Sequence, residues 1–129
     1  MIRGQVFENQ SAALLASIPD VRGGWPAYAD IVSLTFTVIK LDDDTQTYRA
    51  STTPDSDDET LVLDEVMYET PQVDLTRWKE DTGFNVEIIA PGECWEEPGT
   101  YAAEIVVVTT DEQTLTAQWL IQAKKMYSI

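Results

Sequence analysis

Carboxylates are the residues of this chain whose density invites a chemical reading. Asp42, Asp43 and Asp44 stand side by side, and Asp55, Asp57, Asp58 and Glu59 follow within the same turn-rich stretch, KLDDDTQTYRASTTPDSDDET. Calcium accepts carboxylate and carbonyl oxygens at turns of this kind. The helix-flanked calcium loop needs alternating acids, a central glycine and a distal glutamate, a spacing this stretch lacks. Neighbouring residues of an extended strand point to opposite faces, so Asp42, Asp43 and Asp44 converge only in a turn. The reading favoured is a hairpin. A strand ends at Leu41, the aspartates turn the chain because their side chains bond nearby backbone amides, and TQTYRAS returns. PDSDDET is a second polar loop, ahead of TLVLDEV. No metal is expected, and Asp42, Asp43 and Asp44 are the residues that would bind calcium if one were held.

Other reactive constellations fail on residue type. The chain contains no histidine and a single cysteine, Cys94. That removes Ser–His and Cys–His nucleophilic mechanisms and zinc ligation by Cys and His. Paired carboxylates for glycoside hydrolysis need a set separation inside a cleft, whereas the acids here fall in turns or on exposed strand faces. No glycine-rich phosphate loop is present. The expectation is a protein that is not an enzyme, with no catalytic residue and no cofactor. Cys94 cannot form an intrachain disulfide and reads as a buried structural residue.

Aromatic residues are the remaining candidates. Trp119 fits the inward face of a strand. Trp25, Trp78 and Trp95 fall in loops, where an indole either plugs the end of a β-protein or anchors a partner. With Tyr28 they are the expected partner-binding residues. Charge narrows the partners: 8 basic against 23 acidic residues give a net charge of −15. Such a field repels phosphate backbones and anionic lipid surfaces. The basic residues are scattered, with only Lys124 and Lys125 adjacent, so neither nucleic acid nor membrane is expected as a partner. No apolar run approaches the ~20 residues of a membrane span. The start of the chain lacks the order of a secretory signal, so synthesis in the cytoplasm without a signal peptide is expected.

The elements that must position these residues are strands. DIVSLTFTVIK alternates Val32, Leu34, Phe36 and Val38 with Ser33, Thr35 and Thr37. GFNVEIIA and TLTAQWLIQAK repeat the period of two, and TYAAEIVVVTT becomes apolar on both faces. SAALLASI, TQTYRAS and TLVLDEVMY are weaker candidates. About seven strands, separated by segments rich in Gly, Pro, Asp and Thr, predict an antiparallel β-sandwich. PDVRGGWP and PGECWEEPG are loops, and the one helical candidate is a turn at DLTRWKED, with Asp74 capping Arg77 and Trp78. Residues 1–129 read as one domain. The segment from Met1 to Gln10 either joins its own sandwich or forms an extended arm that reaches a neighbour.

A more specific signal lies in PGTYAAEI. In immunoglobulin-type sandwiches a tyrosine at the start of a late strand bonds back across a corner, two residues before a core position. Tyr101 and Ala103 fit that spacing, with alanine where antibody domains carry cysteine. RGQVFENQSAALLAS, DIVSLTFTVIKLDDDT, TRWKEDTGFNVEIIAP and PGTYAAEIVVVTTDEQTLTAQWLI, in that order, resemble small immunoglobulin-like proteins of tailed phages and prophages. The final third is similar to the N-terminal immunoglobulin-like domain of phage baseplate upper proteins. The most distinctive stretch runs through Trp78, Asp81, Thr82, Gly83, Phe84 and Asn85. The resemblance implies an immunoglobulin-like sandwich acting as a virion structural protein by protein–protein docking. Its partners would be other virion proteins, or copies of itself in a multi-copy assembly. Capsid decoration, head–tail joining and tail accessory roles all fit. The alternative is a carbohydrate- or cell-surface-binding module, its loop aromatics stacked on sugars and calcium held among the aspartates.

Overall fold

Where the sequence alternates with period two, the chain is extended. Leu34, Phe36 and Val38 on one strand, Tyr101, Ala103, Ile105 and Val107 on a second, and Trp119, Ile121 and Ala123 on a third all turn inward and are buried. The computed structural model describes residues 2–78 and 83–126. Among these, nine strands run in chain order. They are β1 (Ile2–Phe7), β2 (Ala12–Ala16), β3 (Ile31–Lys40), β4 (Thr45–Ser51), β5 (Glu59–Thr60), β6 (Met67–Gln72), β7 (Phe84–Ala90), β8 (Gly99–Thr109) and β9 (Thr114–Lys124). One helical turn, α1 (Leu63–Val66), precedes β6.

The strands form two sheets. The larger has the order β1-β9-β8-β3-β4-β5 and the smaller β2-β7-β6. Their facing sides meet in one apolar cluster, in which Leu14, Ala16, Val86 and Ile88 of the small sheet join Phe36, Ile105 and Trp119 of the large one. Burying a side chain of this size stabilises the fold by about 1.5–3 kcal/mol, which is what holds two short-strand layers together without a disulfide. The Trp119 indole N–H donates to the Leu15 carbonyl at 2.9 Å, tying the layers by a polar bond as well. No helix of the described residues is long and apolar enough to cross a membrane.

Four features differ from the sequence reading. The strand count rises above seven because β1 and the two-residue β5 also pair. The larger sheet is not purely antiparallel: β1 runs parallel to β9, and β5 parallel to β4. The N-terminal segment is therefore a strand of its own sheet, where Ile2 pairs with Trp119 and Phe7 with Lys124, and not an arm. TLVLDEVMY is not one strand. Its apolar residues Leu63, Val66 and Met67 have the spacing of a helical turn, and the chain takes that turn before β6 begins at Met67.

Candidate functional site

The acidic hairpin forms as its turn chemistry dictates. β3 and β4 pair from Thr35 with Ser51 to Lys40 with Thr45, and Asp42, Asp43 and Asp44 lie exposed in the connection. Asp44 takes a left-handed φ of 57°, a conformation Asp tolerates better than most residues, and Asp43 Oδ1 accepts from the Thr45 N–H at 3.3 Å. The second acidic loop is bound by an internal cation. Arg49 donates to Asp58 and reaches Asp55 at 3.8 Å, so two of these carboxylates serve a loop bond. Among the described residues, no three His, Cys, Asp or Glu side chains group so as to hold a metal ion.

The four aromatic candidates part company. Trp95 is fully buried at 0 % exposure within a 3-10 turn, Gly92–Trp95. Its indole N–H donates to the Gln10 carbonyl at 2.6 Å, and its ring meets Tyr101 edge-on at 6.2 Å. The expectation that Trp95 contacts a partner is corrected here: it closes one end of the core. The closure requires glycine at position 92, because any Cβ there would strike the backbone of Asn9. Cys94 lies beside it in the core, and burial pushes its thiol up to about 12, which leaves it protonated and a poor nucleophile.

Trp25 and Tyr28 lie toward the opposite end and Trp78 along the side between the sheets, all half-buried. Trp25 lines a depression of about 220 Å³ with Asp20, Arg22 and Asp111. Tyr28 is fastened by its own bonds: its hydroxyl donates to the Met67 carbonyl at 2.7 Å and its N–H to Glu69 at 2.9 Å. Trp78 sits in a cleft of about 260 Å³ at the open side of the two sheets, shared with Leu14, Arg77 and Trp119. Among the described residues its indole N–H is the one buried side-chain donor without an acceptor.

The segment leading to Trp78 is held by ions. As expected, a turn follows Asp74, but the Asp74 carbonyl, and not its side chain, accepts the Arg77 and Trp78 N–H groups at 3.1 and 2.7 Å. The Asp74 carboxylate instead takes the Thr76 hydroxyl at 2.6 Å and the Arg77 guanidinium at 2.8 Å. Arg77 continues to Glu87 of β7 at 3.0 Å, and its guanidinium lies 5.6 Å from the centre of the Phe84 ring. Lys79, Glu80, Asp81 and Thr82, which take in the acidic end of that expected turn and, in Asp81 and Thr82, two of the six residues of the most distinctive stretch, lie outside the described residues.

This network makes stability depend on pH. The Thr76 hydroxyl first, then Arg77, hold the Asp74 carboxyl at about 2. Unfolded, the group titrates near ~3.9, so its contribution is complete above that value and is lost as pH falls toward 2. Glu87, lowered chiefly by Arg77, acts in the same direction. In urea titrations from pH 5 to pH 2, the stability gap between wild type and Asp74→Asn is expected to shrink steadily as pH drops. A gap independent of pH would show that Asp74 is not ionically engaged.

At the corner before β8, the Tyr101 hydroxyl donates to the Glu97 carbonyl at 2.6 Å, four residues upstream, while Ala103 is buried two residues on. The bond foreseen from PGTYAAEI is present. Nothing in GFNVEIIA marked as buried the most buried polar residue, Asn85, whose amide grips both backbone groups of Ile18. Its position in the alternation marked it as outward-facing; only the loop that folds over β7 buries it. No family model, curated protein or solved structure matches the chain.

Proposed function

We propose that the chain is an immunoglobulin-like sandwich serving as a non-enzymatic structural component of a tailed-phage particle, working by surface docking. The observation that carries the fold half is the strand order. β2-β7-β6 against β1-β9-β8-β3-β4, with β1 parallel to β9, follows the order of variable-type immunoglobulin sheets. The Tyr101–Glu97 bond supports the same reading, since it joins the corner at which such domains place a tyrosine. The fold departs from that pattern at β5, which is short and parallel to its neighbour.

The docking half is supported by the half-buried aromatics described above, Trp25, Tyr28 and Trp78, beside a surface dense in carboxylates. The partners are other virion proteins. The virion assignment draws on the resemblance of the sequence to immunoglobulin-like phage proteins. Mass spectrometry of purified particles, with immunogold micrographs to place the signal on head, neck or tail, tests it. Finding the chain in stoichiometric amounts is the expected result; finding it in infected-cell lysate but not in particles would end the virion reading.

A further inference from the structure

Charge is distributed over this molecule with one large exception. Of the 23 acidic residues, Glu104 alone falls in β1, β3, β4, β8 or β9, the five strands that make up nearly all of the larger sheet. The other carboxylates of the described residues lie in loops and short helical turns, in the short β5 and in the smaller sheet. The outer side of the larger sheet therefore carries neutral side chains, among them Thr35, Thr37, Val106, Thr116, Gln118 and Leu120, in register across β3, β8 and β9. Phe7 stands on the same side, 48 % exposed.

Four charges remain on that face, and one of them, Lys124, stands at its edge, at the end of β9 beside Phe7. Arg49, at the β4 side, is already neutralised by Asp58 and Asp55. Glu104 sits near the centre, positioned by a 2.6 Å bond from the Gln118 amide. Arg3 projects from β1 and has no carboxylate partner among the described residues. The register places Arg3 beside Leu120 and Glu104 beside Gln118. The two charges are therefore separated by two strand spacings across the sheet and one pleat along it, roughly 12 Å, too far to pair within one chain.

We propose that this face is a self-association surface, its occupant the same face of a second copy related by a two-fold axis. Charge decides the occupant. A basic partner would find almost no acid here, and a chain of net charge −15 repels an anionic one. Two copies can approach closely only where both lack acid, which leaves their acidic loops at the rim. A two-fold axis that bisects the line between Arg3 and Glu104 brings Arg3 of each copy to Glu104 of the other. Arg3 and Glu104 are then each answered, twice per dimer, as an isologous interface requires, while Lys124 stays at the edge of the face. The area suffices: strands of these lengths present roughly 700 Å² per face, close to the ~800 Å² per partner of a stable interface.

The inference takes from the proposed function only that the chain docks by its surface, and it is read on purified full-length chain with no particle present. Its failure and that of the virion reading are thus separable. Sedimentation velocity over a concentration series gives the dimer dissociation constant. Arg3→Glu and Glu104→Arg are each expected to raise it about tenfold or more, and the double reversal to restore it to within about threefold of wild type. Thr116→Arg, at an exposed position in the middle of the face, is expected to leave only monomer, whether or not a reversal variant folds. A wild type that stays monomeric throughout, single reversals without effect, a double reversal that fails to restore, or an unimpaired Thr116→Arg dimer would each overturn the proposal.

Discussion

Trp95→Ala is expected to lower the unfolding free energy by about 3–5 kcal/mol, a large part of the ~5–15 kcal/mol available to a domain of this size. The loss has two sources. Removing a ring with no solvent exposure opens a cavity beneath Tyr101, and the Gln10 carbonyl loses the indole donor that reaches it at 2.6 Å. Trp95→Phe separates them: it keeps most of the ring, loses the N–H, and is expected to cost about 1–2 kcal/mol. Urea titration followed by far-ultraviolet circular dichroism reads both. An alanine variant within about 1 kcal/mol of wild type would mean that the end of the core is open and that Trp95 is reachable from outside after all.

The second large effect is expected at Asn85. Its side-chain oxygen accepts from the Ile18 N–H at 2.7 Å and its amide donates to the Ile18 carbonyl at 2.9 Å. These bonds complete the backbone of a segment that has left β2 and no longer has a strand neighbour. Asn85→Ala strands a buried donor and acceptor together, at a cost of about 2–4 kcal/mol. Asn85→Leu, which fills the volume without restoring either bond, is expected to be no better. Equilibrium unfolding of the two variants checks this; a leucine variant as stable as wild type would show that packing, and not the paired hydrogen bonds, governs the position.

The difference between Trp95 and the other end aromatics shows how much of the site was legible. All three loop indoles lie in segments outside the period-two strands, and none has a local pattern that separates core from surface. What buries Trp95 is the turn after β1, where Asn9 donates its N–H to the Trp95 carbonyl at 2.8 Å and Gln10 supplies the acceptor for the indole. Those partners lie some eighty residues away in sequence, and no window around Trp95 contains them. The acid-poor outer face was hidden for a related reason. Each strand shows only its own few outward residues, and the near-exclusion of acid becomes visible only when β1, β9, β8, β3 and β4 are set side by side.

β3, β7, β8 and β9, by contrast, could be read from residue order. Their alternation is a property of each strand alone, because a half-buried strand must present apolar residues at every second position whatever its neighbour. The same holds for the aspartate hairpin after Leu41, where turn formers follow a strand end, and for the Tyr101 corner. Sequence by itself therefore determined that the chain is β, where its long strands lie, and that Asp42, Asp43 and Asp44 turn the chain. Only the tertiary structure decided that the N-terminus pairs in parallel with the last strand, that Leu63 to Val66 coils, and which tryptophan is core. These outcomes depend on contacts between segments far apart in the chain, and local alternation carries no information about which distant segment will cover a residue.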